Sequence, residues 1–188
     1  MGQALWFASR ATGLVVLLLL TATAVLGACT TTRLASPRWP RFTVAGIHRN
    51  MSLLAGVFLV VHVAGAVLDP YASIRWTDAV LPFASTYHPF WLGLGAVALD
   101  LLLAILVTSL LRLHIPARLW RTLHWASYLL FPVAVAHGLG IGGSDTRLGW
   151  VQVYVAACVV AVLLSVWWRT RTSHPDTRAR QAADRTGW

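Results

Sequence analysis

Four of the seven histidines, His48, His62, His124 and His137, fall inside long apolar stretches. Ionisable side chains are rare at membrane depth and mark functional sites there. They come two to a stretch, fourteen residues apart in one and thirteen in the other. At 1.5 Å per residue these are rises of about 21 and about 20 Å. Two helices running the same way would offer matched histidines at two levels. Haem iron takes two axial imidazoles, and a bis-histidine site leaves no open position, which suits electron transfer. A lone histidine reads more simply as a hydrogen bond to a neighbouring helix. Four in matched pairs point to two b-type haems, held by His48 with His124 and by His62 with His137. One angle opposes this. At about 100° per residue, fourteen residues bring His62 within about 40° of the His48 face, but thirteen leave His137 about 140° from the His124 face. Pro132 lies between the latter two and is the expected place of a kink.

The elements that must carry these residues follow from composition. The chain has 188 residues, 57% hydrophobic and only 11% charged. Soluble domains are about a quarter charged, so this is a membrane protein rather than a disordered or cytosolic one. All 15 basic residues are Arg and all six acids are Asp. The absence of Glu excludes a His-Glu-x-x-His zinc site. The absence of Cys-x-x-Cys-His excludes covalent haem attachment. Cys29 and Cys158 belong to different apolar runs and suggest no disulfide. Five runs suit crossing helices of ~20 residues, near 5–27, 44–68, 90–111, 120–140 and 148–168. The expected fold is all-α, a bundle of about five transmembrane helices over 1–168. An Arg-rich tail, 169–188, is expected to be disordered and cytoplasmic.

Five spans place the termini on opposite sides. Twelve Arg then gather with the C-terminus, in 28–49, 112–121 and the tail, against three (Arg10, Arg75, Arg147) on the other side. The positive-inside rule puts the C-terminus in the cytoplasm and the N-terminus outside. This disposes of the nucleic-acid reading of a net charge of +9. Leu26-Gly27-Ala28-Cys29 has the form of a lipoprotein cleavage box, but cleavage would put the Arg-rich loop outside, so the first run is read as a retained helix.

Around the histidines the sequence resembles the ferric reductase transmembrane domain family. That family includes NADPH oxidases, yeast-type ferric reductases and the haem subunits of bacterial methionine sulfoxide reductases. His48-Arg49-Asn50 through His62 is similar to the first ligand helix. Thr108-Ser109-Leu110-Leu111-Arg112, then Trp120 to Trp125 and Tyr128, resemble the connection into the second. His137-Gly138-Leu139-Gly140 and Gly143-Ser144-Asp145 resemble its exit. The likeness covers about residues 5–168, with five spans where many members have six. It implies a haem-b conduit in a bacterial cytoplasmic membrane, passing electrons from a cytoplasmic donor to an outer acceptor. Larger members continue into flavin and nicotinamide domains. Here the expected donor is separate: a flavin reductase, a partner's flavin or a quinol. The expected acceptor is ferric iron, oxygen or a redox partner protein.

Haem propionates seek cationic partners. Arg49 and Arg121 flank the cytoplasmic-end histidines and are the first candidates, ahead of Arg41 and Arg118, with Arg75 and Arg147 at the other end. Asp100, mid-span, reads as a helix-to-helix contact. His88 with Asp69, Asp78 and Tyr87 is a weaker grouping for an external metal. Gly138-x-Gly140-x-x-Gly143 matches a dinucleotide fingerprint but lacks the strand before it, and reads as a helix stop and turn. The rival reading of the whole is a haem-free transporter or assembly factor using histidines for protons or metal.

Overall fold

The computed structural model describes residues 2–31, 41–70 and 72–171. Arg33, Arg38 and the tail beyond Arg171 lie outside them. The described residues are helical, with no strand. In order they form α1 (Gly2–Thr31), α2 (Arg41–Leu68), the short α3 (Trp76–Val80), α4 (Pro89–Leu110), α5 (Ala117–Trp125), α6 (Ser127–Ile141), a 3₁₀ turn over Gly143–Arg147 and α7 (Gly149–Arg171). α1, α2, α4 and α7 are each long and apolar enough to cross a bilayer. The first two exceed the expected spans, so Arg41 and Arg49 are helical. Much of the apolar surface faces outward: Val57, Val60, Val61, Leu103, Val107, Val153, Leu163 and Leu164 are exposed. An exposed apolar face of this size suits lipid as the solvent.

The run at 120–140 departs from expectation: it forms two helices, α5 and α6, rather than one. The division falls at Ala126, not at Pro132, which stays inside α6. At Ala126 the backbone tightens to three-residue bonds, Ala126 N–H to the Leu123 carbonyl and Leu129 N–H to the Ala126 carbonyl, both 3.0 Å. Such a 3₁₀ step changes the direction of a helix within one turn. α5 is strongly amphipathic, with Arg118, Arg121 and Trp125 exposed. α6, at 15 residues, is about 22 Å long. The stretch expected as the fourth span is thus shared between two helices, α5 and α6.

One packed cluster holds the passes together: Val16, Leu19 and Leu20 from α1, Ala55 from α2, Leu102 and Ile105 from α4, Leu130 and Phe131 from α6, Cys158 and Val162 from α7. Ala55 is fully buried and lies midway in sequence between His48 and His62. Leu130 and Phe131 lie midway between His124 and His137. The core is thus a septum between the two histidine levels. Neither Cys29 nor Cys158 forms a disulfide among the described residues.

At one end of the bundle Arg10 Nη1 pairs with Asp145 Oδ2 at 2.9 Å and also bonds the Gly142 carbonyl, tying α1 to the turn before α7. At the other end Arg169 of α7 donates to the Tyr128 hydroxyl of α6 and lies over the Trp125 ring. Between α2 and α4, Asp78 accepts from the Arg75 backbone N–H at 3.1 Å and from Arg75 Nη2 at 2.9 Å. These bonds start α3 in the manner of a capping box and hold the Asp78 carboxyl below the usual carboxylate range. A depressed carboxylate adds stability that is full above its unfolded pKa and is lost as pH falls through the folded one. The melting-temperature difference between wild type and Asp78→Asn is therefore expected to be constant at neutral pH and to close below about pH 4.

Candidate functional site: two histidine pairs

α2 and the α5–α6 pass bring the four histidines together as two pairs. The His48 and His124 ring centres are 6.3 Å apart with planes at 64°, and those of His62 and His137 are 6.3 Å apart with planes at 87°. Two metal–imidazole bonds of about 2.0–2.1 Å, with about 1.1 Å from each nitrogen to its ring centre, would separate the centres by about 6.3 Å. The thirteen-residue spacing does not prevent the second pairing, because the break at Ala126 makes α5 a separate rod.

Three histidines sit in the same kind of cradle. His62 Nδ1 is 2.7 Å from the Ser9 carbonyl, His48 Nδ1 is 3.0 Å from that of Thr23, and His137 Nδ1 is 2.8 Å from that of Trp91. Four residues on from each acceptor is a glycine: Gly13, Gly27 and Gly95. A Cβ there would come within 3.0 Å of the His62 ring, 3.3 Å of His48 and 2.5 Å of His137. A helical carbonyl already accepts one backbone N–H. Its second lone pair is reachable only where the residue one turn later leaves room. With a carbonyl as partner, Nδ1 is the protonated nitrogen and Nε2 keeps the lone pair, the arrangement of an oriented metal ligand. α1 repeats its cradle at a fourteen-residue step, Ser9/Gly13 and Thr23/Gly27, matching the step from His48 to His62 on the antiparallel α2.

A cavity of about 540 Å³ opens at the His62/His137 level. Gly13, His62, Gly95, His137, Arg10 and Asp145 are among the residues that line it. The size is that of a cofactor-binding site, and the lining is mostly apolar with few polar groups, as such sites are. The residues thus fit a flat, apolar group gripped by two imidazoles.

The sequence from residue 12 to 135 matches the family model of the ferric reductase-like transmembrane component. This chain belongs to that family. The matched segment contains His48, His62 and His124 and ends two residues before His137. Ferric reductase-like transmembrane domains typically bind haem, and the family supplies the membrane core of oxidoreductases. No curated protein and no solved structure matches this ferric reductase-like chain.

Elsewhere in this ferric reductase-like chain, Arg49 is exposed beside His48 on α2. Arg121 is exposed on α5, one turn before His124, with its Nε bonded to the Ala117 carbonyl at 3.2 Å. Both are at the His48/His124 end. Arg118 is exposed on the same helix, and Arg147 is exposed at the opposite end. Arg75 is engaged by Asp78. Asp100 is half-buried midway along α4. His88 stacks edge-on against Tyr87, and no group of three metal-binding side chains gathers around it among the described residues. Gly138 and Gly140 are still inside α6, where the missing side chain of Gly140 admits the Trp91 ring, and Gly143, at φ +58°, makes the turn. Cys29 lies within the continuous α1. The sequence reading missed Gly13, Gly27, Gly95 and Arg10. The signal was present as Ser/Thr-x-x-x-Gly twice on α1, in step with the histidines of α2.

Proposed function

We propose that this chain carries electrons singly across the membrane through two bis-histidine haem b groups, one on His48 and His124 and one on His62 and His137. The observation that carries the reading is the same 6.3 Å ring separation at two levels. Bound there, haem supplies a one-electron ferric/ferrous couple. The chain supplies the rest. Backbone carbonyls of Ser9, Thr23 and Trp91 orient three imidazoles. The septum of Leu20, Ala55, Leu102, Leu130 and Phe131 excludes water between the levels. Arg49 and Arg121 lie where they would receive the propionates of the His48/His124 haem. That end faces the cytoplasm by the distribution of Arg, in a bacterial membrane by the family likeness, and a separate flavin reductase, flavin or quinol delivers electrons to it. They leave from the His62/His137 end to an outer acceptor or redox partner. A haem-free transporter would need a polar route, and the septum is apolar.

The test is a reduced-minus-oxidised spectrum of the purified protein with haem quantification. A b-type spectrum with two haems per chain is expected, falling to one in His137→Ala. Properly inserted protein without haem would falsify the reading.

A further inference from the structure

α5 is nine residues long, about 14 Å, too short to cross a bilayer. One of its faces is packed. There the Trp120 ring stacks on His124 at 5.1 Å and 25°, and Trp120 Nε1 lies 3.5 Å from the Oγ of Ser109, near the end of α4. Another face is a strip of Arg118, Arg121 and Trp125, which at about 100° per residue fall within about 60° of one another. All three are exposed. The end of α7 joins this strip, because Arg169 lies over the Trp125 ring at 5.3 Å and donates to the Tyr128 hydroxyl. Arg121 is on the side of the strip nearer His124 and is the one assigned above to a propionate. Arg118 and Arg169 remain, with an exposed indole between two helices.

Nothing negative answers these charges. No acidic residue lies in α5, in the turn before it or in α7. At the other end of the bundle Arg10 and Arg75 each have an aspartate at 2.9 Å. The side chains of Arg112 and Arg118 make no ion pair or hydrogen bond among the described residues. Large apolar side chains are exposed next to them in the chain: Leu113 is 86% exposed, Leu119 49%, and Trp125 60%.

We propose that Arg118, Trp125 and Arg169 form a binding site for the headgroup of an anionic phospholipid. Guanidinium groups present paired N–H donors that match phosphate oxygens. Tryptophan suits the headgroup level, where its ring meets apolar chains and its N–H meets water. A basic cluster at the end of a membrane helix attracts anionic lipid. The exposed leucines favour lipid over an acidic protein surface, because acyl chains cover them and a row of carboxylates does not. The site uses no haem and stands apart from the electron-transfer reading.

The experiment is native mass spectrometry of the full chain released from nanodiscs of equal phosphatidylcholine and phosphatidylglycerol, counting the lipids retained. Wild type is expected to keep phosphatidylglycerol over phosphatidylcholine by about tenfold. Arg118→Gln with Arg169→Gln should lose most of that preference, and Arg118→Lys with Arg169→Lys should recover much of it. Arg118→Gln alone breaks no side-chain bond among the described residues and is expected to lower the preference part of the way, which separates lipid binding from a folding defect. Arg147→Gln, at the opposite end, should titrate as wild type. Equal retention of the two lipids by wild type, or an unchanged preference in the double glutamine variant, would overturn the proposal. Displacement of the lipid by glycerol phosphate would assign the site to a free phosphate, and displacement by a poly-aspartate peptide would assign it to an acidic protein; either result also overturns it.

Discussion

Replacing Gly95 by valine is expected to reduce the haem content from two per chain to one. A Cβ at this position would meet His137 Cε1 at 2.5 Å and Nδ1 at 2.7 Å, well inside van der Waals contact. The ring cannot retreat without giving up the Trp91 carbonyl at 2.8 Å. Valine adds two more carbons on the same side. Losing a partner that orients a ligand costs roughly 10–100-fold in metal affinity, and displacing the ligand itself costs more. The effect should be graded with the clearance. Gly13→Ala, with His62 at 3.0 Å, is expected to weaken the same haem moderately, and Gly27→Ala, with His48 at 3.3 Å, to weaken the other one slightly. Gly46→Ala and Gly138→Ala have nothing within 4 Å and serve as controls. Pyridine haemochrome quantification on each purified variant gives the series. Two haems retained in Gly95→Val would show that the ring does not need this cradle.

The largest effect on activity is expected from His48→Ala. The two histidine levels are about 21 Å apart along α2, and the septum between them is built of mostly apolar side chains. Tunnelling falls steeply with distance, so one remaining haem leaves a gap that electrons do not cross at a useful rate. The variant should fold. His48 is only half-buried, and the lost bond to the Thr23 carbonyl is worth about 1 kcal/mol. In proteoliposomes with a membrane-impermeant reductant on one side and a trapped oxidant on the other, transfer is expected to fall to the rate of protein-free vesicles while one haem per chain remains. Transfer close to wild type would mean that the His48 level is not on the electron path.

Much of the architecture was legible because lipid imposes simple rules. Length and hydropathy placed α1, α2, α4 and α7 to within a few residues, and the matched histidine spacings predicted which rings meet. What the sequence concealed was local. The angular conflict at His137 suggested a kink at Pro132, because proline is the visible helix breaker. The structure makes the adjustment at Ala126, where the cause is a shift in hydrogen-bond register, and alanine gives no sign of it. The candidate charges were chosen by proximity in sequence, which could not show that Asp145 and Gly142, far along the chain, hold Arg10 at the edge of the cavity. The cradles were hidden differently. Gly13 and Gly27 look like ordinary small residues of a membrane helix until the rings they admit are placed against them.

The septum around Ala55 also has an electrical consequence. A wall that lets an electron tunnel but admits no water gives protons no route alongside it. On the proposed path, each transfer would then move one uncompensated charge through the low-dielectric layer. Across 100 mV that movement would be worth about 2.3 kcal/mol, so on the proposed path an energised membrane, negative inside, would assist every electron that left the cytoplasm. The turnover of this protein would report the membrane potential as well as the supply of donor.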